Sequence, residues 1–195
     1  MTMKTNDDLI PVCRFIAESE GNIEIGNAIY EQYENAREDI LKGFFKRLLA
    51  GIKQKLPDWS GRYTEPFFTK RYGAFDFYKS TWSQRYRIRL EAWDWGNGIV
   101  YGVWRDADSL PNVPLNAKLL AEVQEKMPDA TSRGYYEAEI RMNSPAKDWR
   151  IPRVLWRLHS DEAFRTEVES LLIELAEIAA AHIDLMEKQN PKNKK

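Results

Sequence analysis

Cysteine is almost missing from this chain: Cys13 is the only one in 195 residues. An internal disulfide is therefore excluded, a thiolate zinc site cannot be assembled, and the reducing cytoplasm is the expected compartment. Histidine is nearly as scarce, and neither His159 nor His182 sits at a spacing from other ligands that would build a metal centre. No apolar run approaches the length of about eighteen residues that spans a bilayer, so no membrane association is expected. The first residues, MTMKTNDDLIPV, lack the apolar segment of a signal peptide. Neither charge sign dominates: 29 basic against 30 acidic side chains leave a formal net charge of −1. That excludes a general nucleic-acid-binding footprint and an acidic mimic of DNA, and leaves room only for a local patch. G-x-S-x-G, the phosphate-loop pattern and G-x-G-x-x-G are all absent, so no cofactor is expected.

Aromatic residues are what the chain has in quantity: 7 Trp, 9 Tyr and 8 Phe, or 12% of the residues. With 43% hydrophobic and 30% charged residues, it should fold around a core of its own. The spacing predicts a short helix over 6–19, capped by Thr5 or Asn6, with Cys13 as a small buried residue and a break at Gly21-Asn22. A second helix follows over 27–56. Ile29, Tyr33, Ile40, Leu41, Phe44, Phe45, Leu48, Leu49, Ile52 and Leu56 recur there at three- and four-residue intervals on one face, and Pro57 ends it. Residues 57–66 read as a loop and 73–79 as a strand.

The clearest strand is 85–95. Tyr86, Ile88, Leu90 and Ala92 fall on one face, and Arg85, Arg87, Arg89, Glu91, Trp93 and Trp95 on the other. Asn97-Gly98 is a strong hairpin signal, because a type I′ turn needs positive φ at both central positions. A two-residue loop there pairs Trp95 with Val100, Trp93 with Gly102, Glu91 with Trp104 and Arg89 with Asp106. It would lay the Trp93 ring over Gly102 and put Tyr101 and Val103 on the core face with Ile88 and Leu90. Further on, Pro114 suits the start of a helix to about 126, and 135–142 reads as a strand with Tyr136, Ala138, Ile140 and Met142 on one face. Trp149, Val154, Leu155, Trp156 and Leu158 are expected against the core. Ser160 would cap a last helix over 161–188. The fold class is α+β: one domain over 1–189, with a small antiparallel sheet of three to four strands centred on the hairpin and packed with long amphipathic helices at both ends. Residues 190–195 are expected to be disordered.

Two constellations invite a functional reading. Arg85, Arg87, Arg89, Trp93, Trp95 and Trp104 would share one sheet face. Such a row can clamp phosphates and stack bases, or serve as a protein interface, where Trp, Tyr and Arg dominate the binding energy. It can also be an outer face on which arginine stems cover rings. The second is Asp129 with Glu139 and Arg141, an echo of the PD-(D/E)xK nuclease motif that holds a divalent metal. Arg141 stands where that motif has lysine, and a guanidinium cannot serve as a base at neutral pH.

The order F-D-F-Y-K at 75–79, Y-R-I-R-L at 86–90 and V-Y-G-V-W at 100–104, then an amphipathic helix, a strand and a long final helix, resembles the C-terminal accessory region of bacterial PD-(D/E)xK-superfamily proteins. The likeness covers about residues 70–188. In those proteins the nuclease motif lies upstream, and here the upstream stretch is helical and lacks it. The resemblance thus implies an accessory half in a phage-defence or mobile-element setting and carries over no catalytic residue. The leading expectation is a non-enzymatic binding or regulatory module that meets a protein partner or a second copy of itself, a homodimer being favoured by the two long apolar stripes. Single-stranded nucleic-acid or nucleotide binding by the Arg/Trp face and a degenerate metal-dependent nuclease are the alternatives.

Overall fold

The computed structural model describes residues 9–64, 67, 73–83, 85–92, 98–108 and 114–189, with side chains from residue 13 to residue 188. The expected turn residue Asn97, the rings of Trp93 and Trp95, the caps Thr5 and Asn6 and the tail 190–195 lie outside them. The chain divides into two compact units, Met1–Asp39 and Ile40–Lys195.

The first unit holds α1 (Leu9–Ala17) and the opening turns of α2 (Glu20–Lys55). α2 begins seven residues before the sequence pattern suggests. The reason is Ser19, whose hydroxyl accepts from the Asn22 N–H at 3.2 Å while its carbonyl accepts from the Ile23 N–H at 3.1 Å. Such a cap satisfies first-turn donors that would otherwise be orphaned, so Gly21 and Asn22 are absorbed into the helix instead of breaking it. The Asn22 amide then donates to the Phe15 carbonyl at 2.6 Å and ties the end of α1 to α2. Cys13 is exposed on α1, contrary to its expected burial.

The second unit is α+β with six antiparallel strands, not three or four. They are β1 (Trp59–Thr64), β2 (Ala74–Lys79), β3 (Tyr86–Ala92), β4 (Ile99–Arg105), β5 (Thr131–Arg133) and β6 (Tyr136–Arg141), in the order β1-β2-β3-β4-β6-β5. The two additional strands are the edges. β1 comes from the segment read as a loop, whose Ser, Gly and Pro hide an alternation of Trp59, Gly61 and Tyr63 toward the helices. Gly61 leaves room for α2 there, since a Cβ would fall 2.7 Å from Leu49 Cδ1 and displace that methyl. β5 is three residues long and turns into β6 through Gly134 at φ +55°, a conformation that favours glycine.

One face of the sheet carries the core. Phe75, Phe77, Ile88, Leu90, Tyr101, Val103, Ala138 and Ile140 are buried against the C-terminal part of α2, α3 (Ala117–Lys126), α4 (Pro152–Ser160) and α5 (Glu162–Gln189). Phe45 stacks on Phe75 with centroids 4.9 Å apart, and Phe44 meets Trp149 and Phe164 edge-on. α3 is capped by Asn116, which accepts from the Leu119 N–H, so Pro114 lies ahead of the helix and not in its first turn. α5 is capped by Asp161, which accepts from the Phe164 N–H at 3.0 Å. Ser160 instead donates to the Trp156 carbonyl. Late in α5, Asp184 receives Lys79 and the Trp82 indole at 2.7 and 2.8 Å and fastens the turn between β2 and β3. Trp149, Val154, Leu155 and Leu158 pack inward as expected, but Trp156 is exposed. No helix among the described residues is long and apolar enough to cross a membrane.

The β3–β4 hairpin forms four residues out of the register expected from Asn97-Gly98: Glu91 pairs with Val100 and not Trp104, and Arg89 pairs with Gly102. An even shift keeps every side chain on its face, so the assignment of Arg87, Arg89 and Trp104 to one side and Ile88, Leu90, Tyr101 and Val103 to the other survives. The observed register puts Trp104 opposite Arg87. It also lets the Ile99 N–H donate to the Lys147 carbonyl at 3.1 Å, with Gly98 (φ +86°) pressed against that same carbonyl. Between β4 and β6 a bulge at Val103/Trp104 places Tyr136 beside Trp104, which moves Tyr136 off the Ala138–Ile140 face where simple alternation put it. Its ring neighbours Gly102. A Cβ on Gly102 would collide with the Ala138 carbonyl and fall 2.8 Å from the Tyr136 ring. Gly102→Ala should therefore cost about 2–4 kcal/mol of stability, read from urea unfolding; an unchanged midpoint would contradict this placement.

Candidate functional site

The face of the sheet turned away from the core is polar, and most of it is buried. One row crosses all six strands: Arg62, Asp76, Arg89, Gly102, Glu139 and Thr131 pair successively. Asp76 is completely inaccessible. Arg89 grips it with two nitrogens, Nε at 2.7 Å and Nη2 at 3.1 Å, while Arg87 Nη1 and Arg62 Nε each stand 3.2 Å away. The two-pronged contact is the strong geometry for a guanidinium on a carboxylate. The charge of Asp76 is thereby shared among three arginines from two strands.

Those arginines are engaged a second time. The Arg87 and Arg89 guanidiniums lie 3.9 and 4.6 Å from the centroid of the Trp104 ring, within cation–π range. Tyr135 stacks parallel to the same indole at 6.3 Å. Beyond Trp104, Arg133 pairs with the buried Glu139 at 3.1 Å. Glu91 is buried 3.5 Å from Arg89 Nη1. Burial holds its carboxyl above the ordinary 4.5, against the opposing pull of Arg89. The Tyr136 hydroxyl is buried beside Glu91 without a well-formed hydrogen bond, and burial pushes its pKa well above 10.

The six residues expected to share this face are thus partly separated. Arg87, Arg89 and Trp104 come together. Arg85 does not join them, because it precedes β3 and turns to Ser83 at 2.8 Å and to Glu187 of α5 at 3.3 Å. Trp93 and Trp95 lie outside the described residues. Of the nuclease-like set, Asp129 is exposed in the turn before β5, Glu139 is buried in its pair with Arg133, and Arg141 is exposed. Among the described residues no three His, Cys, Asp or Glu side chains are grouped to hold a metal ion. His182 is paired with Glu122 at 2.7 Å. Sequence reasoning passed over Asp76, the centre of the network. Its signal was an aspartate between Phe75 and Phe77, in a strand that neighbours a row of arginines.

Chemically, the face is occupied by its own side chains. Base stacking needs open rings and phosphate binding needs uncommitted cations, whereas here the cations sit on the ring and on Asp76. Among the described residues, the densest group of exposed apolar side chains lies in the first unit. Phe15 on α1 and Ile23, Ile25, Ile29, Tyr30 and Tyr33 on α2 are all exposed, Tyr30 to 82% and Ile29 to 64%. Intervals of three and four residues put Ile25, Ile29 and Tyr33 on one stripe, with Ile23 and Tyr30 on the next. Gly26 lies between them, where Ile16 of α1 comes within 3.4 Å of a Cβ position. Ile29 and Tyr33 were expected in the core stripe of α2, but that stripe is buried only from Leu41 onward. Comparison of the chain with family models, with curated proteins and with solved structures finds no match in any of the three.

Two outcomes test the network. Asp76→Asn should cost about 3–5 kcal/mol, because it strands guanidiniums in a buried site; a loss below 1 kcal/mol in urea unfolding would refute its central place. Glu91 has a folded pKa raised above its unfolded value. Its contribution to stability is therefore fully present below the unfolded pKa and is lost as pH rises through the folded one. Glu91→Gln should then gain stability relative to the wild type on going from pH 4 to pH 8; a difference constant with pH would contradict it.

Proposed function

We propose that this protein is a non-enzymatic binding module that takes hold of a protein partner through the paired helices of residues 9–39. The observation that carries the reading is the set of six large apolar side chains exposed within some twenty residues of α1 and α2. Scattered surface apolar residues need no explanation, but a contiguous group rimmed by charge marks an interaction surface. Tyr and Ile on a rigid helix supply contact area at a small entropic cost. The sheet face supports the same reading from the other side, since its arginines and Trp104 are spent on one another and on Asp76. The resemblance of residues 70–188 to an accessory region of PD-(D/E)xK-superfamily proteins would fit a regulatory partner in phage defence or on a mobile element.

The test is a photo-crosslinking side chain installed at Tyr30, the most exposed large apolar side chain among the described residues, with irradiation in the cells that make the protein. Covalent adducts with protein are expected from position 30 and not from a control position on the outer face of α5 such as Glu177. Adducts from neither, or equally from both, would overturn the reading.

A further inference from the structure

Charge is distributed unevenly between the two units. Residues 1–39 hold three basic and nine acidic side chains, and residues 40–195 hold twenty-six and twenty-one. Within α2, Glu20, Glu24, Glu31 and Glu38 recur at intervals of four and seven, which makes an acidic stripe beside the edge formed by Ile23 and Tyr30. Glu20, Glu24 and Glu31 are exposed. Two such surfaces brought face to face would place like charges together, a cost that specific interfaces avoid.

The complementary surface is on α4. Val154, Leu155 and Leu158 turn inward, which leaves Arg153, Trp156 and His159 outward. Trp156 is 66% exposed, the most of any large apolar residue described in the second unit, and Ile151 at the start of α4 is 39% exposed. The Trp156 and His159 rings meet at 5.8 Å. Arg47 adds a further cation by donating to the Leu158 and His159 carbonyls at the end of α4, 2.7 and 3.1 Å away. The carboxylates nearby are already committed: Asp161 to Arg157 at 2.9 Å, and Glu162 to Arg165. The patch is thus a tryptophan framed by cations, the residue types that dominate interface energetics.

We infer that the acidic apolar face of α1 and α2 in one copy receives the basic, Trp156-centred face of α4 in a second copy. This rests on the reading of residues 9–39 as a docking surface and names the occupant. The contact is heterologous, so two copies can exchange it reciprocally or several can chain it. It should also weaken with salt, because its rim is ionic.

Sedimentation of the full chain at micromolar concentration tests it, using Ile29→Asp in one face and Trp156→Ala in the other. Both residues are exposed, so both variants should fold, as circular dichroism will verify. Wild type should sediment as more than one chain, and each variant should weaken assembly by roughly 30-fold, as for a central hot spot. The variants mixed together should associate more tightly than either alone, since each retains the face the other lacks. Three results would overturn the inference: a wild-type monomer, assembly indifferent to Trp156→Ala, or no gain on mixing. A monomer that still forms adducts from position 30 with another protein would refute self-docking and leave the binding reading standing, whereas no adducts at all would end both.

Discussion

A buried carboxylate must be neutralised or it cannot stay buried, and Asp76 meets that demand with Arg62, Arg87 and Arg89. Much of the second unit follows from it. The two arginines on β3 are held flat enough to lie on Trp104, which requires the four-residue displacement of the β3–β4 register. Trp104 beside Tyr136 requires the bulge in the β4–β6 pairing, and the Tyr136 ring requires a glycine at position 102. One ionic contact is thereby coupled to the pairing of five strands. Buried ion pairs are seldom a large source of net stability, and their better-attested use is to specify one arrangement over its competitors. That is the use proposed for this one, since hydrophobic alternation alone does not separate registers that differ by an even number of residues.

The two sheet faces divide the labour between them. The helix side is dry and aromatic and supplies the core. The other side is a polar lattice of Arg–Asp, Arg–Glu and Arg–Trp contacts that leaves little chemistry for a ligand. Exposed on the helices are an acidic apolar face on α1 and α2 and, on α4, Trp156 beside Arg153. The binding role proposed above fits that division, because large apolar groups stand exposed on the helices while Arg87 and Arg89 are held on Asp76 and Trp104.

The α+β class, the long C-terminal helix, the β2 strand and the two faces of the hairpin were all legible, because each is written in a 2- or 3.6-residue period over many positions. What escaped did so for identifiable reasons. β1 is an edge strand with Gly61 in its middle and only half its positions inward, so turn-forming residues outweighed a weak alternation. The hairpin register departs from the one Asn97-Gly98 predicts because that signal is local, and the long-range contacts of Lys147, Trp104 and Gly102 outweigh it. Ser19 was overlooked as a cap because Gly21 and Asn22 look like a break. Half of the candidate site is legible in the pattern, which puts Arg87, Arg89 and Trp104 on the one face where they meet, but Asp76, which pairs with both arginines, lies on another strand. Ile29 and Tyr33 fit the periodicity of a buried stripe, and periodicity cannot say whether the surface that buries a stripe belongs to the same chain.

Centrally, we propose that the Arg/Trp face is internal structure, its cations held on Asp76 and Trp104. The most direct test is a titration of the full chain with a single-stranded oligonucleotide at low salt, followed by tryptophan fluorescence. No saturable change is expected, because the cations that would meet phosphate are held on Asp76 and Trp104. Saturable binding that Arg87→Ala or Arg89→Ala abolishes while the fold is retained would contradict it.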